Sequence, residues 1–268
     1  MPGSVIAETT RPGKLIQFTE DDHKYVLKDK RTGEVQQAFT SVTTMIGEYF
    51  PKFDAEGQSL KSAAKEGGTE EEIRARAEEL RAKWKAAGDE ASEYGTRVHE
   101  YLEDLVRGRK PRNIPRDERE QTVFALGAKF VWQIKPKLEL IEPEKIVCDP
   151  EWGLAGTIDV LAKDPKADRM IIMDWKTNKK IDMDTVFGKY GFGPIAHIPD
   201  CEFGHYALQL NTYEAILKHA GYIGRDVPVL KYLIHLHKDN GLRVLQVPDR
   251  QREVIALIED FQRKRAIQ

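Results

Sequence analysis

Residues 156–176 constrain the fold of this chain more than any other stretch. They run Gly-Thr-Ile-Asp159-Val-Leu-Ala-Lys, a polar turn around Asp164-Pro165, then Met-Ile-Ile-Met-Asp174-Trp-Lys176. Two apolar runs of strand length flanking a turn predict a β-hairpin. Strand side chains alternate, so Asp174 and Lys176 share one face while Met173 and Trp175 take the other. A hairpin symmetric about Lys166 and Ala167 sets Asp159 opposite Asp174. Carboxylates facing each other at roughly 5 Å repel, and burying acids without partners is costly. A divalent cation turns the repulsion into binding. A lysine two residues after the second acid can then help the metal hold and polarise a phosphate.

The same geometry extends one strand upstream. Asp149-Pro-Glu-Trp-Gly153 is a turn, and symmetry about Glu151 and Trp152 places Glu144 opposite Asp159. Glu144 is then an acid behind the ligands, a ligand for a second ion, or a solvated strand-end side chain.

Two helical segments add polar residues on inward stripes. In Tyr94-Gly-Thr-Arg-Val-His99-Glu-Tyr-Leu, Gly95, His99, Leu102 and Val106 fall on one stripe, turning His99 inward. An inward histidine is a ligand or a satisfied core residue. In His205-Tyr-Ala-Leu-Gln209-Leu-Asn-Thr-Tyr213, Gln209 and Tyr213 lie one turn apart and share a face with Tyr206 and Ile216. A buried amide there needs partners.

Asp159, then Asp174-x-Lys176, resembles the signature of the PD-(D/E)XK nuclease superfamily. Gly95-Thr96-x-x-His99 before it and Gln209-x-x-x-Tyr213 after it resemble the RecB-like exonuclease branch. The layout is similar to nucleases of phages and large DNA viruses and to the mitochondrial genome-maintenance exonuclease. The resemblance implies an α/β fold with a restriction-endonuclease-like core, a central mixed β-sheet flanked by helices. It implies metal-dependent hydrolysis of DNA phosphodiester bonds from ends, in viral or phage DNA processing, recombination or repair. His99, Asp159 and Asp174, with the Trp175 carbonyl, would hold Mg²⁺ or Mn²⁺, and Lys176 would position or deprotonate water. Gln209 and Tyr213 would brace the site and the DNA near it. With Glu144, Thr96, Lys179 and Lys180 they complete the candidate DNA-binding set. The rivals are a structure- or sequence-specific endonuclease of the same superfamily and a silent DNA-binding module on a nuclease fold. A silent copy should have lost an acid or the lysine, and this chain keeps them.

Composition narrows the partners. With 268 residues and a net charge near −2, the chain is no polycation, so a DNA groove must be a local positive patch. Two cysteines, Cys148 and Cys201, cannot supply the four thiolates of an iron–sulfur cluster and suggest a reducing compartment. No stretch approaches the roughly 18 apolar residues of a membrane span, and the N-terminus lacks the pattern of a signal peptide. The expectation is a soluble cytoplasmic protein of a bacterial or virus-infected cell. The expected partners are DNA, single-stranded or duplex ends, and a replication or recombination protein.

Residues 1–93 read as N-terminal strands and a helical insertion packed on a core of 94–268, in one compact unit. Residues 1–13 carry little pattern and are expected to be mobile. A β-hairpin joins His23–Leu27 to Val35–Thr40 through Lys30–Gly33, with Ser41 or Thr43 capping the helix that follows. The charged segment reads as two helices, Glu70–Ala87 and about Glu90–Arg107, then a basic loop to Arg112 that could meet a DNA backbone. A helix over Glu118–Gln133 precedes the meander of Glu142–Lys176. Residues 178–204 form a long link able to guide a strand; its His197, Cys201 and His205 have zinc-like spacing but no clear fourth ligand. Lys231–His237 and Leu242–Val247 form a closing hairpin, with His235 and His237 expected at the surface. An amphipathic helix over Gln251–Lys264 ends the chain.

Overall fold

The computed structural model describes residues 4–19, 24–185 and 188–267, with Leu140 and Ile141 as backbone alone. His23 lies outside the described residues. The chain opens with an antiparallel meander, β1 (Ser4–Glu8), β2 (Lys14–Thr19), β3 (Lys24–Asp29) and β4 (Val35–Ser41). The hairpin expected from the sequence is its second half; the first half includes a strand in the segment expected to be mobile. Asp29 closes the β3–β4 turn by accepting from the Arg31 and Thr32 amides. Gly33 has φ 73°, a conformation that favours glycine. Ser41 ends β4 and caps α1 (Val42–Gly47) by accepting from the Thr44 amide.

After α2 (Ala55–Ala64), helix α3 runs unbroken from Glu70 to Val106, 37 residues, where two helices were expected. Thr69 and Glu72 start it as a capping box. Gly88 does not interrupt it, because a single exposed glycine costs only about 1 kcal/mol among the Ala, Lys and Glu that surround it. Helix α4 (Glu118–Ile134) follows, then β5 (Glu139–Asp149), β6 (Leu154–Asp164) and β7 (Arg169–Lys176). The chain continues through α5 (Glu202–His219), β8 (Val229–His237), β9 (Gly241–Gln246) and α6 (Gln251–Ile267).

Among the described residues the strands form one mixed nine-stranded sheet in the order β1-β2-β3-β4-β6-β7-β8-β9, with β5 pairing β6 off that path. The pairs β4–β6 and β7–β8 are parallel. Helices cover both faces. On one, α1, α5 and α6 bury Ile158, Leu161, Ile172 and Leu233. On the other, α3 and α4 bury Val160, Ala162, Met173, Trp175 and Ile234. Trp175 is 1% exposed and meets Phe130 edge-on, ring centroids 5.8 Å apart. Burying a side chain of that size is worth roughly 4–6 kcal/mol from its area alone, which anchors the strand between Asp174 and Lys176. This is an α/β fold of the restriction-endonuclease-like kind.

Candidate active site

The two hairpins have the symmetry that the turns predict. Strands β6 and β7 pair from Asp164↔Arg169 to Val160↔Met173, and Asp159 and Asp174 lie just past that last pair. Strands β5 and β6 pair Lys145↔Ile158 and Pro143↔Val160, which bracket Glu144 and Asp159. Glu144, Asp159 and Asp174 therefore form one row across three neighbouring strands.

The row coincides with a break in the regular pleat. Ile158 and Leu161 face the same core cluster although they are three positions apart, where regular alternation needs an even spacing. Opposite this break Glu144 has φ 51°, a left-handed conformation costly for a residue with a Cβ. Pro143 precedes it and cannot donate to the ladder. Arg107 at the end of α3 donates to the Pro143 carbonyl at 3.0 Å, pinning the kink.

Helix α3 brings His99 to this row. Gly95, one turn earlier, lies where a Cβ would be 3.6 Å from Thr177 Oγ1, so the helix approaches the end of β7 closely. His99 Nε2 donates to the Trp175 carbonyl at 3.1 Å, and its Nδ1 lies 3.4 Å from Asp159 Oδ2. The Trp175 carbonyl thus orients the imidazole, a usual arrangement behind a metal-binding histidine. Asp159 Oδ2 also accepts from the Trp175 amide at 2.8 Å.

Burial dominates the electrostatics of the acids. It pushes the Asp159 carboxyl up to about 6, with the Asp174 charge adding to the rise and His99 opposing it. Glu144 is held well above the usual carboxylate range by burial first, then by the charges of Asp159, Glu103 and Asp174. Lys176 Nζ sits 2.6 Å from Asp174 Oδ2. The pair is not aligned as a hydrogen bond, and that buried oxygen has no hydrogen-bond donor. Burial alone would lower the Lys176 ammonium, but Asp174, Asp159 and Tyr206 together hold it above the ordinary lysine value. Lys176 is therefore a cation.

These residues fit a divalent ion. One ligand atom from each of His99, Glu144 and Asp159 lies within 4.8 Å of the others, and burial raises both acids of the group. Asp174 stands outside this group, engaged with Lys176. Glu144, left open between three roles by the sequence, joins His99 and Asp159.

The remaining candidates divide. Gln209 Nε2 donates to the Tyr213 hydroxyl at 3.0 Å, which supplies the partner its amide needs. Tyr213 is 3% exposed and packs against Gly156, where an added Cβ would stand 2.5 Å from the ring. Both residues thus support β6 three residues before Asp159. Thr96 and Lys179 are exposed, and Lys180 pairs with Asp182 at 2.8 Å. In the basic loop, Arg112 is bound by both oxygens of Asp104 and by Glu103, and Arg107 by Glu103. Those two arginines are committed to α3 carboxylates.

Two expectations about histidines are also resolved. His235 and His237 are 0% and 8% exposed, on a strand enclosed between β7 and β9, so they are not surface residues. His197 reaches toward Glu253, Cys201 caps α5, and His205 bonds Asp200 at 2.8 Å. The three do not converge. The sequence did not single out Tyr206, whose ring lies 4.3 Å from Lys176 Nζ; its place one turn before Gln209 on the same stripe was the available signal. Nor did it find Tyr25, whose hydroxyl lies 3.0 Å from Thr157 Oγ1; that contact joins sheet strands far apart in the chain and leaves no local trace.

No curated protein matches this chain. A family model does, over residues 59–267, from α2 through α6, and it describes the PD-(D/E)XK nuclease superfamily. The matched span holds the acid row, His99 and the Asp174-x-Lys176 pair, and the chain belongs to the PD-(D/E)XK nuclease superfamily.

Proposed function

We propose that this nuclease is a divalent-metal-dependent DNA exonuclease of the RecB-like branch. The observation that carries the reading is the convergence of His99, delivered by a helix, on an acid row that ends in a lysine. His99, Glu144 and Asp159 would hold Mg²⁺ or Mn²⁺, with Asp174 completing the negative field. Oxygen-rich ligation favours these metals, and one histidine leans the choice toward manganese. When bound, such an ion offsets charge on the scissile phosphate and makes water more acidic.

The protein's own groups do the rest. Lys176 brings a fixed positive charge toward the phosphate, where it stabilises charge that develops as the P–O bond breaks. The buried surroundings strengthen that interaction relative to water. Burial raises the Asp159 and Glu144 carboxyls, and a bound cation would favour their charged forms. Gln209 and Tyr213 act through β6 by holding its backbone in place. Backbone contacts carry no base code, so cleavage is expected without sequence preference, with processing of phage or viral DNA, recombination or repair as the setting. Among the described residues no helix is long and apolar enough to cross a membrane.

The test is digestion of end-labelled linear and covalently closed circular DNA, single- and double-stranded, with Mg²⁺ or Mn²⁺ and with chelator. Shortening of linear DNA, single strands preferred, with circles resistant, is the expected result. Closed circles cut as fast as linear strands would make the protein an endonuclease of the same superfamily. No cleavage of any substrate would leave a DNA-binding module.

A further inference from the structure

Lys176 is gripped from two sides. Asp174 holds Nζ from its own strand at 2.6 Å. From α5, the Tyr206 ring faces the same ammonium at 4.3 Å. The ring is itself fixed at its far end, because the Tyr206 hydroxyl donates to Asn178 Oδ1 at 3.1 Å. Asn178 is fixed in turn by His235, whose Nε2 donates to the Asn178 carbonyl at 2.7 Å. His235 is fully buried, and it sits in register with Lys176 across the parallel β7–β8 pair. Its other nitrogen has no hydrogen-bond partner, so the contact with Asn178 is the imidazole's one polar anchor among the described residues.

We propose that Tyr206 is a positioning residue for Lys176, with Asn178 and His235 as its support; the catalytic part of this inference rests on the nuclease reading above. The physical case is geometric. A lysine has four rotatable bonds and a point charge, so a useful ammonium must be confined. Asp174 alone would draw Nζ back along its own strand. An aromatic face on the other side attracts the cation through its quadrupole without neutralising it. Lys176 thereby stays charged and directed between β7 and α5. The Asn178 and His235 contacts keep the ring from rotating away from Lys176.

Three variants separate positioning from packing: Tyr206→Phe keeps the ring without its anchor, Tyr206→Leu removes the aromatic face, and Asn178→Ala releases the hydroxyl. Two measurements are made. The first is reductive methylation of metal-free protein, with modification at Lys176 followed by mass spectrometry. Lys176 should be protected in the parent chain, labelled several-fold faster in Tyr206→Leu, as expected on losing a cation–π contact of ordinary strength, and labelled at an intermediate rate in Tyr206→Phe, which keeps the ring but not its anchor. The second is steady-state cleavage of linear DNA. Tyr206→Leu should lower kcat about tenfold or more with KM within about twofold, the signature of an interaction made in the transition state. Tyr206→Phe and Asn178→Ala, which lose the same Tyr206–Asn178 hydrogen bond, should both fall between the parent and Tyr206→Leu. Equal labelling of Lys176 in the parent and Tyr206→Leu would overturn the positioning role whether or not the protein cuts DNA. Equal kcat would overturn its catalytic consequence. A parent chain inactive on every DNA substrate, with the labelling difference intact, would count against the nuclease reading and support the positioning of Lys176.

Discussion

Gly156 is the position at which a single methyl group should do most damage. A Cβ there would lie 2.5 Å from Tyr213 Cε1 and 3.2 Å from Cζ and the hydroxyl oxygen. Carbon atoms rest at about 3.5–4.0 Å, so something must move by about 1 Å. The ring cannot swing into solvent, because Tyr213 is 3% exposed and its hydroxyl accepts from Gln209. Overpacking of this kind costs about 1–3 kcal/mol. At about 2–4 °C per kcal/mol for a chain of this size, Gly156→Ala should lower Tm by roughly 2–12 °C. The cheapest relief is a shift of β6 away from α5, which carries Asp159 with it; a displacement of about 1 Å at a reacting group can cost about a hundredfold in rate. Cleavage of linear DNA at saturating metal should therefore fall well beyond what the fraction unfolded explains. Tyr213→Leu makes the test specific. Alone it opens a cavity and destabilises, but combined with Gly156→Ala the new methyl group occupies part of that space. Thermal and denaturant unfolding of the four proteins should give a favourable coupling of about 1 kcal/mol or more. An unchanged Tm in Gly156→Ala, or additivity within about 0.5 kcal/mol, would refute the claim that Tyr213 braces β6 through Gly156.

Other expectations concern the site and the acid limb. Asp174→Asn and Lys176→Ala should each reduce cleavage by more than about a hundredfold with folded circular dichroism spectra, DNA binding surviving in the lysine variant; activity within about tenfold of the parent would sink their assignment. Titration calorimetry with Mn²⁺ should show affinity weakened about tenfold or more in both His99→Ala and Glu144→Gln, and chelator-treated enzyme should recover with Mg²⁺ or Mn²⁺ but not zinc. Unchanged affinity in Glu144→Gln would return Glu144 to the role of an acid behind the ligands. Arg97 first, with Arg116 after burial's opposing effect, holds the Glu120 carboxyl down to about 2 from an ordinary 4.5. Because the folded value is depressed, its contribution is fully present above about pH 4.5 and is lost as pH falls toward 2; it amounts to at most roughly 3 kcal/mol. Denaturant unfolding should show the parent and Glu120→Gln converging across that window, and a constant gap would disprove the linkage.

Much of the site is legible in one dimension because a hairpin is a local object. Two turns, at 150–153 and 165–168, set the register of three strands, and a period of two assigns every side chain a face. That is enough to align Glu144, Asp159 and Asp174 before any coordinates. The stripes that turn His99, Gln209 and Tyr213 inward are local in the same way, since helical periodicity needs only a few residues of context. What periodicity could not supply was the cooperation of distant segments. It divided α3 at Gly88, since it had no measure of the packing and charge pairing that carry a helix through one glycine. It assigned His235 and His237 to the surface, since strand order, which encloses β8 between β7 and β9, belongs to the whole sheet. It spread the basic loop toward DNA, whereas Asp104 and Glu103 on the preceding helix bind two of its arginines. The partition of the acids was decided in three dimensions as well. Pro143 and the left-handed Glu144 kink β5, Arg107 pins the kink, and His99 meets Glu144 and Asp159 while Lys176, faced by Tyr206, engages Asp174. Turn chemistry and alternation determine which residues share a row; only long-range packing, through contacts across scores of residues, decides which of them meet.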